Sequence, residues 1–282
     1  MSSLLVAAEE LAAHGGDPAW RVFDCRHDLH NLDYGRQAYA KGHIPGAQFL
    51  DLDTDLSGEK NGKNGRHPLP AATVFAARMA ACGVGSESQV VAYDNEGGAF
   101  AARLWWMLRW LGHERVAVLD GGLAAWRRLK LPLATDVPAV QPAHFQLHLR
   151  PEMVVAKDFV LSRLDQSQAL VLDARSPERY SGEKETVDPV GGHIPGASNR
   201  FFYDNLDDDG IYFKPADELR AEFEQLLGGR RPEHVLQQCG SGVTACHNVL
   251  AMELAGLSGS KLYAGSWSEW CADPSLPTAT GG

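Results

Sequence analysis

Gly42–Ala47 reads Gly-His-Ile-Pro-Gly-Ala, and Gly192–Ala197 repeats it letter for letter. The two copies begin at positions 42 and 192, which is an offset of 150 residues. A second pair of segments, Val22–Arg26 and Val171–Arg175, recurs at nearly the same offset. Self-similarity on this scale predicts that the chain contains two copies of one domain.

Within each copy, short apolar runs alternate with helix-like patterns. Alternation of this kind predicts an α/β fold in which each domain has a mainly parallel sheet with helices on both faces. The clearest predicted strands are Gln89–Tyr93, Val116–Leu119, His234–Gln238 and Lys261–Tyr263, and the clearest predicted helices are Phe100–Leu111, Ala216–Leu227 and Thr244–Leu254.

A proline-rich connector separates the copies. Four prolines fall between Leu131 and Pro151, and such a segment cannot form a long helix. We therefore predict an N-terminal domain over 1–131, a linker over 132–151 and a C-terminal domain over 152–282.

Composition limits the classes of function. The 282 residues are 44% hydrophobic and 22% charged, with a formal net charge of −10, which argues against a nucleic-acid or anionic-membrane partner. The N-terminus has no basic segment of a secretory signal. Five dispersed cysteines without a Cys-x-x-Cys pair indicate free thiols rather than disulfides or zinc ligands. We expect a cytoplasmic protein that uses no metal or other cofactor.

Cys239 ends a strand-like run and opens the loop Cys-Gly-Ser-Gly-Val-Thr, after which a helix begins. Two glycines let backbone N–H groups turn toward the sulfur, and the helix N-terminus stabilises negative charge there. Cys239 is therefore a candidate nucleophile, and the alternative is a buried structural cysteine in a tight turn. The first copy has Asp94 at this position, so one domain would carry the nucleophile and the other would supply surface.

Taken together, the duplicated Gly-His-Ile-Pro-Gly-Ala turn, the Asp-x-Arg strand ends and the Cys239 loop resemble the tandem-domain rhodanese-like sulfurtransferases. The loop is similar to that of the 3-mercaptopyruvate branch. The resemblance implies a Cys239 persulfide, formed from a small anionic sulfur donor and passed to cyanide, a small thiol or thioredoxin. This is covalent, two-step catalysis.

The resemblance also implies roles for other residues. Ser241, His67 and Asp53 match a proposed serine-histidine-aspartate relay, which could move a proton from the donor thiol. The alternative for His67 is a solvated loop histidine. Arg179 matches an arginine that binds the donor's anionic group. The remaining loop residues are expected to contact donor or persulfide through the backbone: Gly240, Gly242, Val243 and Thr244.

The donor has two candidates. The mercaptopyruvate branch usually has a second substrate arginine nine residues after Arg179, but position 188 is Asp188, which would repel an anion. Thiosulfate is the alternative, although thiosulfate enzymes usually have basic residues where this chain has Gly240 and Ser241. A cysteine phosphatase would need an arginine at Ala245. A non-catalytic interaction protein is the remaining alternative, favoured by Asp94 in the first copy.

Overall fold

The computed structural model describes residues 3–164 and 169–282 of the chain. These residues form two compact units. The first comprises the described residues of Met1–Gly58, with Pro70–Arg150 and Asp208–Phe213, and the second comprises Glu59–Leu69, the described residues of Pro151–Asp207, and Lys214–Gly282. His67 thus packs with the second unit although it precedes the linker. The domain bounds given above stay a prediction.

The first unit is built on a five-stranded parallel sheet with the strand order β1-β5-β4-β2-β3. Along the chain its elements are β1 (Leu5–Val6), α1 (Ala8–Ala13), β2 (Trp20–Asp24), α2 (Tyr34–Lys41), β3 (Gln48–Phe49), α3 (Ala72–Ala81), β4 (Gln89–Tyr93), α4 (Ala101–Trp110), β5 (Val116–Leu119) and α5 (Gly122–Arg128).

The second unit repeats this plan, with the strand order β6-β10-β9-β7-β8 and all strands parallel. Its elements are β6 (Val154–Val155), α6 (Lys157–Leu161), β7 (Leu170–Asp173), α7 (Pro177–Ser181), β8 (Ser198–Asn199), α8 (Ala216–Leu227), β9 (Val235–Gln238), α9 (Ala245–Leu254), β10 (Lys261–Tyr263) and α10 (Ser266–Trp270). The predicted α/β class and the duplication are confirmed.

Each sheet is buried because its central strands are apolar or fully covered. Every residue of β5, β7 and β9 is buried, as expected for parallel strands packed on both faces. The helix after the central strand is also buried along nearly its whole length, in both α4 and α9. The central strand and its following helix therefore form the rigid part of each unit, and the loop between them lies at the carboxyl edge of the sheet.

The repeated turn is held by its histidine in both units. The His43 ring stacks on Tyr39 with 3.8 Å between centroids, and its Nδ1 lies 2.9 Å from the Tyr39 carbonyl. His193 repeats these contacts with Tyr180, at 3.9 Å and 2.9 Å. Since both rings are buried within the turn, they stabilise it. Among the described helices, none is long and apolar enough to cross a membrane.

Candidate active site

Cys239 follows β9 directly and lies at the carboxyl edge of the second sheet. Its Sγ accepts N–H groups from Gly242 at 3.1 Å and from Ser241 at 3.4 Å. Gly242 makes this turn possible, because its φ of +75° is a left-handed conformation that other residues adopt at a cost. The loop therefore places backbone donors around the sulfur, and α9 begins immediately after it.

Residues at the start of α10 anchor the backbone of the loop. Ser266 Oγ accepts the N–H of Cys239 at 3.1 Å and donates to the Tyr263 carbonyl at 2.9 Å. Ser266 is fully buried and has a φ of +54°, which is strained for a residue with a side chain. Trp267 N donates to the Cys239 carbonyl at 3.0 Å. These hydrogen bonds fix the backbone of Cys239 and so the position of its sulfur. Sequence reasoning missed Ser266.

Ser241 and His67 lie in contact inside the second unit. Ser241 Oγ is 2.7 Å from His67 Nδ1, and both side chains are buried. The segment that carries the histidine is tied to α10, because Ser268 Oγ accepts the backbone N–H of Arg66 at 3.0 Å. A hydroxyl and an imidazole at this distance can exchange a proton. The structure therefore brings together two of the three residues of the predicted relay.

Asp53 belongs to the first unit. Its backbone N–H donates to Asp51 Oδ1 at 2.9 Å, and its Oδ2 lies 4.0 Å from His27 Nε2. Its role in a relay stays a prediction.

Two arginines lie beside Gly240. A Cβ built on Gly240 would lie 2.8 Å from Arg66 Nη2 and 3.5 Å from Arg179 Nη1. Arg179 projects from α7 and is the arginine predicted from the sequence. Arg66 was missed, although its position next to His67 was a usable signal. Paired guanidiniums next to the nucleophile loop suit a planar carboxylate or a sulfonate.

Two carboxylates neutralise these arginines. Asp188 forms ion pairs with Arg66 and, at 2.9 Å, with Arg179, while Glu185 accepts from Arg179 Nε at 3.1 Å. Burial raises the pKa of Asp188, and the charges of the two arginines oppose this rise only in part. Burial acts in the same direction on Glu185, but the hydrogen bond from Arg179 lowers the pKa of that carboxyl overall.

The remaining predicted loop residues, Val243 and Thr244, directly precede α9. The carbonyl of Val243 accepts the N–H of Cys246 at 3.0 Å, and that of Thr244 accepts the N–H of His247 at 3.1 Å. Cys246 is buried, and its Sγ donates to the Gly242 carbonyl at 3.3 Å. Contact of Val243 or Thr244 with a donor stays a prediction.

In the first unit, Asp94 occupies the position that Cys239 occupies in the second. Asp94 follows β4 and is fully buried. Its two carboxylate oxygens accept the N–H groups of Glu96, Gly98, Phe100 and Ala101 at 2.8–2.9 Å. This loop therefore folds around its own carboxylate, whereas the Cys239 loop surrounds a sulfur.

The fold and the loop define an α/β protein with two copies of one sheet and, in the second copy, a cysteine whose sulfur is faced by backbone N–H groups. The chain belongs to the rhodanese-like family, since the model for the rhodanese-like domain matches residues 7–129 and 157–273.

Similarity to individual proteins extends over nearly the whole chain. It is 46% identical over 282 residues to a Pseudomonas aeruginosa protein named "Probable 3-mercaptopyruvate sulfurtransferase", covering 99% of each chain. It is 35% identical to thiosulfate/3-mercaptopyruvate sulfurtransferase 2 of Arabidopsis thaliana, covering 97% of this chain and 85% of that one. Its structure matches SseA from Escherichia coli, a 3-mercaptopyruvate enzyme, with a TM-score of 0.81 and 36% identity over 94% of this chain and 99% of the other.

Proposed function

We propose that this protein is a sulfurtransferase that moves sulfur from 3-mercaptopyruvate to a thiol or cyanide through a persulfide on Cys239. The observation that carries the proposal is the Cys239 loop, in which the N–H groups of Ser241 and Gly242 point at the sulfur. A terminal persulfide sulfur is anionic, and oriented backbone donors next to it are the groups that stabilise such an anion.

In the first step the Cys239 thiolate attacks the donor sulfur. An S–S bond forms, the carbon–sulfur bond of the donor breaks, and its electron pair goes to the donor carbon. That carbon takes up a proton while the donor thiol loses one, so the products are pyruvate and the persulfide anion. In the second step the acceptor attacks the terminal sulfur, the S–S bond breaks, and Cys239 leaves as thiolate.

Ser241 and His67 suit the proton movement of the first step. Their 2.7 Å contact joins a hydroxyl to an imidazole inside a buried region, which favours transfer from the donor thiol toward the donor carbon. Thiosulfate contains no thiol proton, and its reaction releases sulfite without a proton transfer. A working serine-histidine pair therefore favours 3-mercaptopyruvate as the donor.

Arg66 and Arg179 suit the donor's anionic end. Their nitrogen atoms lie nearest Gly240, which is the first residue after the nucleophile. A carboxylate held there would leave the remaining donor atoms within reach of Cys239. Two guanidiniums would also hold the sulfonate-like end of thiosulfate, so a thiosulfate sulfurtransferase working by the same persulfide is the second candidate.

The test is sulfur loading of Cys239. The protein is reduced, incubated with 3-mercaptopyruvate or with thiosulfate, and measured by intact-protein mass spectrometry. We expect one added sulfur atom with 3-mercaptopyruvate, removed again by cyanide or by reduced thioredoxin, and none in Cys239→Ser. A wild-type protein that gains no sulfur from either donor would refute the proposal and favour a non-catalytic interaction protein.

Steady-state kinetics then decide the donor. We expect a higher kcat/KM with 3-mercaptopyruvate than with thiosulfate, and the reverse order would establish the second candidate. Since the mechanism begins from a reduced Cys239, we infer that the protein works in a reducing compartment, the cytoplasm.

A further inference from the structure

Asp188 bridges the two arginines of the site. Its side chain is only 2% exposed and lies in the loop after α7, nine residues beyond Arg179. One carboxylate oxygen pairs with Arg66 Nη1 and the other with Arg179 Nη2. A single carboxylate thus contacts two guanidiniums that come from distant parts of the sequence.

The bridge engages one side of the Arg66 guanidinium, and the other side lies near Gly240. The engaged nitrogens are Nη1 of Arg66 and Nη2 of Arg179. The nitrogens nearest to the position of a Gly240 Cβ are Nη2 of Arg66, at 2.8 Å, and both terminal nitrogens of Arg179, Nη1 at 3.5 Å and Nη2 at 3.6 Å. Asp188 therefore binds both arginines, while Nη2 of Arg66 and Nη1 of Arg179, which it does not contact, lie close to the Cys239 loop. Arg66 Nε is also buried without a hydrogen-bond partner among the described residues.

The two arginines depend on Asp188 to different degrees. Arg179 is also held by Glu185, which accepts from its Nε. Within the described part of the chain, Asp188 is the acceptor that the Arg66 guanidinium contacts. The hydrogen bond of Arg66 to Ser268 is made by its backbone N–H. Two guanidiniums side by side repel each other, and a long arginine side chain has many rotamers to lose when it is ordered. A carboxylate between them offsets both costs.

We propose that Asp188 is a positioning residue, which holds Arg66 and Arg179 in the orientation that binds the donor's anionic group. This inference rests on the proposed sulfurtransferase function. It replaces the expectation from sequence that an acid at position 188 repels the donor, because its charge is paired with both arginines. Burial of this carboxyl next to two cations is the arrangement expected of a fixed counter-ion.

The effect of Asp188 is expected on donor affinity and not on the chemical step. The backbone N–H groups that face the Cys239 sulfur belong to Ser241 and Gly242. Among the hydrogen bonds and ion pairs of the described residues, Asp188 contacts neither of these two. Loss of the bridge leaves Arg66 to be ordered when the donor binds. Freezing one such side chain corresponds to about a tenfold weaker affinity.

The experiment is steady-state kinetics of Asp188→Asn with 3-mercaptopyruvate. We expect KM to rise about tenfold and kcat to stay within about twofold. The matched control is Asp209→Asn, which removes a carboxylate from the exposed ion pair with Arg128 in the first unit and should change neither constant. An unchanged or lower KM in Asp188→Asn would overturn the inference.

A double-mutant cycle separates positioning from a general structural role. In an Arg66→Ala background, Asp188→Asn should raise KM much less, because Arg66 is gone and Glu185 still holds Arg179. An equal rise of KM in both backgrounds would mean that Asp188 does not act through Arg66, and the inference would fail. A fall of KM in both backgrounds would identify Asp188 as a repelling charge, with the same consequence.

Failure of this inference can be told apart from failure of the proposed function. A wild-type protein that takes no sulfur from either donor contradicts the function itself, whereas an active wild type with a normal KM in Asp188→Asn contradicts only the role of Asp188. If Asp188→Asn does not fold, Asp188→Ser replaces it, since a smaller polar side chain also removes the two-oxygen bridge. Its KM is expected to rise as well, and a wild-type value would overturn the inference.

Discussion

Replacing Gly242 by alanine tests whether the loop geometry around Cys239 produces the reactivity. The substitution has two physical effects. The φ of +75° costs a residue with a Cβ about 1 kcal/mol. The new Cβ would also lie 2.4 Å from the Ala264 carbonyl oxygen, whereas ordinary contact begins at 3.4 Å. Because the obstacle is backbone, the loop must move by about 1 Å.

In the structure, the backbone nitrogen of Gly242 lies 3.1 Å from the Cys239 sulfur. Such a movement displaces this N–H group from the sulfur. Loss of one oriented backbone donor at a developing anion costs about a hundredfold in kcat. We therefore expect Gly242→Ala to be folded and to turn over 3-mercaptopyruvate about a hundredfold more slowly. The assay is pyruvate formation with a thiol acceptor, together with thermal unfolding to verify the fold.

Gly196→Ala is the matched control. Gly196 lies in the same unit with a φ of +76°, and its nearest neighbour for a Cβ is the Leu164 carbonyl at 4.0 Å. This variant has the backbone cost without the collision, so it should lose about 1 kcal/mol of unfolding free energy and keep its kcat. If a folded Gly242→Ala variant turned over 3-mercaptopyruvate as fast as Gly196→Ala, the backbone N–H groups of the loop would not be what activates Cys239.

Three further predictions concern other residues. His67→Ala should slow turnover of 3-mercaptopyruvate by about a hundredfold or more and that of thiosulfate much less, since only the first donor has a thiol proton to move; equal losses in the two assays would rule out the relay. Asp94→Ala should lower the unfolding free energy by about 3 kcal/mol in urea titrations, because three buried N–H groups and one partly buried N–H group lose their acceptor; a loss below about 1 kcal/mol would contradict this account. Burial, together with the charge of Asp188, raises the pKa of Cys271 to about 11. At pH 8 its thiolate fraction is about one in a thousand, so peptide mapping after brief alkylation should find label on Cys239 and not on Cys271, and comparable labelling would show the reasoning to be wrong.

The long apolar elements of the fold were predictable. The strands Gln89–Tyr93 and Val116–Leu119 and the helix Ala216–Leu227 have the bounds expected from the sequence. These segments have either a continuous apolar run or a clear helical period, so local composition is sufficient to predict them.

Short elements were not predictable in the same way. The strand Leu5–Val6 has only two residues, and it exists because it pairs with Val118 and Leu119 of β5. The five-residue helix Pro177–Ser181, which carries Arg179, is too short to show a helical period. Tertiary pairing and packing decide elements of this length.

The residues of the candidate site likewise differ in whether the sequence could predict them. Cys239, Ser241 and Gly242 lie within four consecutive positions, and the strand, loop and helix that hold them are also consecutive. Arg66 and Ser266 lie outside the loop in sequence, and the one local signal for either was the position of Arg66 next to the predicted residue His67. Their role follows from contacts with Gly240 and Cys239 that no local pattern contains.

The sequence by itself determined the duplication, the α/β class and the nucleophile loop, because each depends on residues that are neighbours along the chain. The tertiary structure alone decided how the charged side chains next to the loop are paired. It showed that Asp188, which by charge should repel an anion, is paired with Arg66 and Arg179, and that the serine and histidine of the predicted relay lie 2.7 Å apart. The physical reason is that electrostatic and hydrogen-bonding effects depend on distance in space, which packing sets and sequence separation does not.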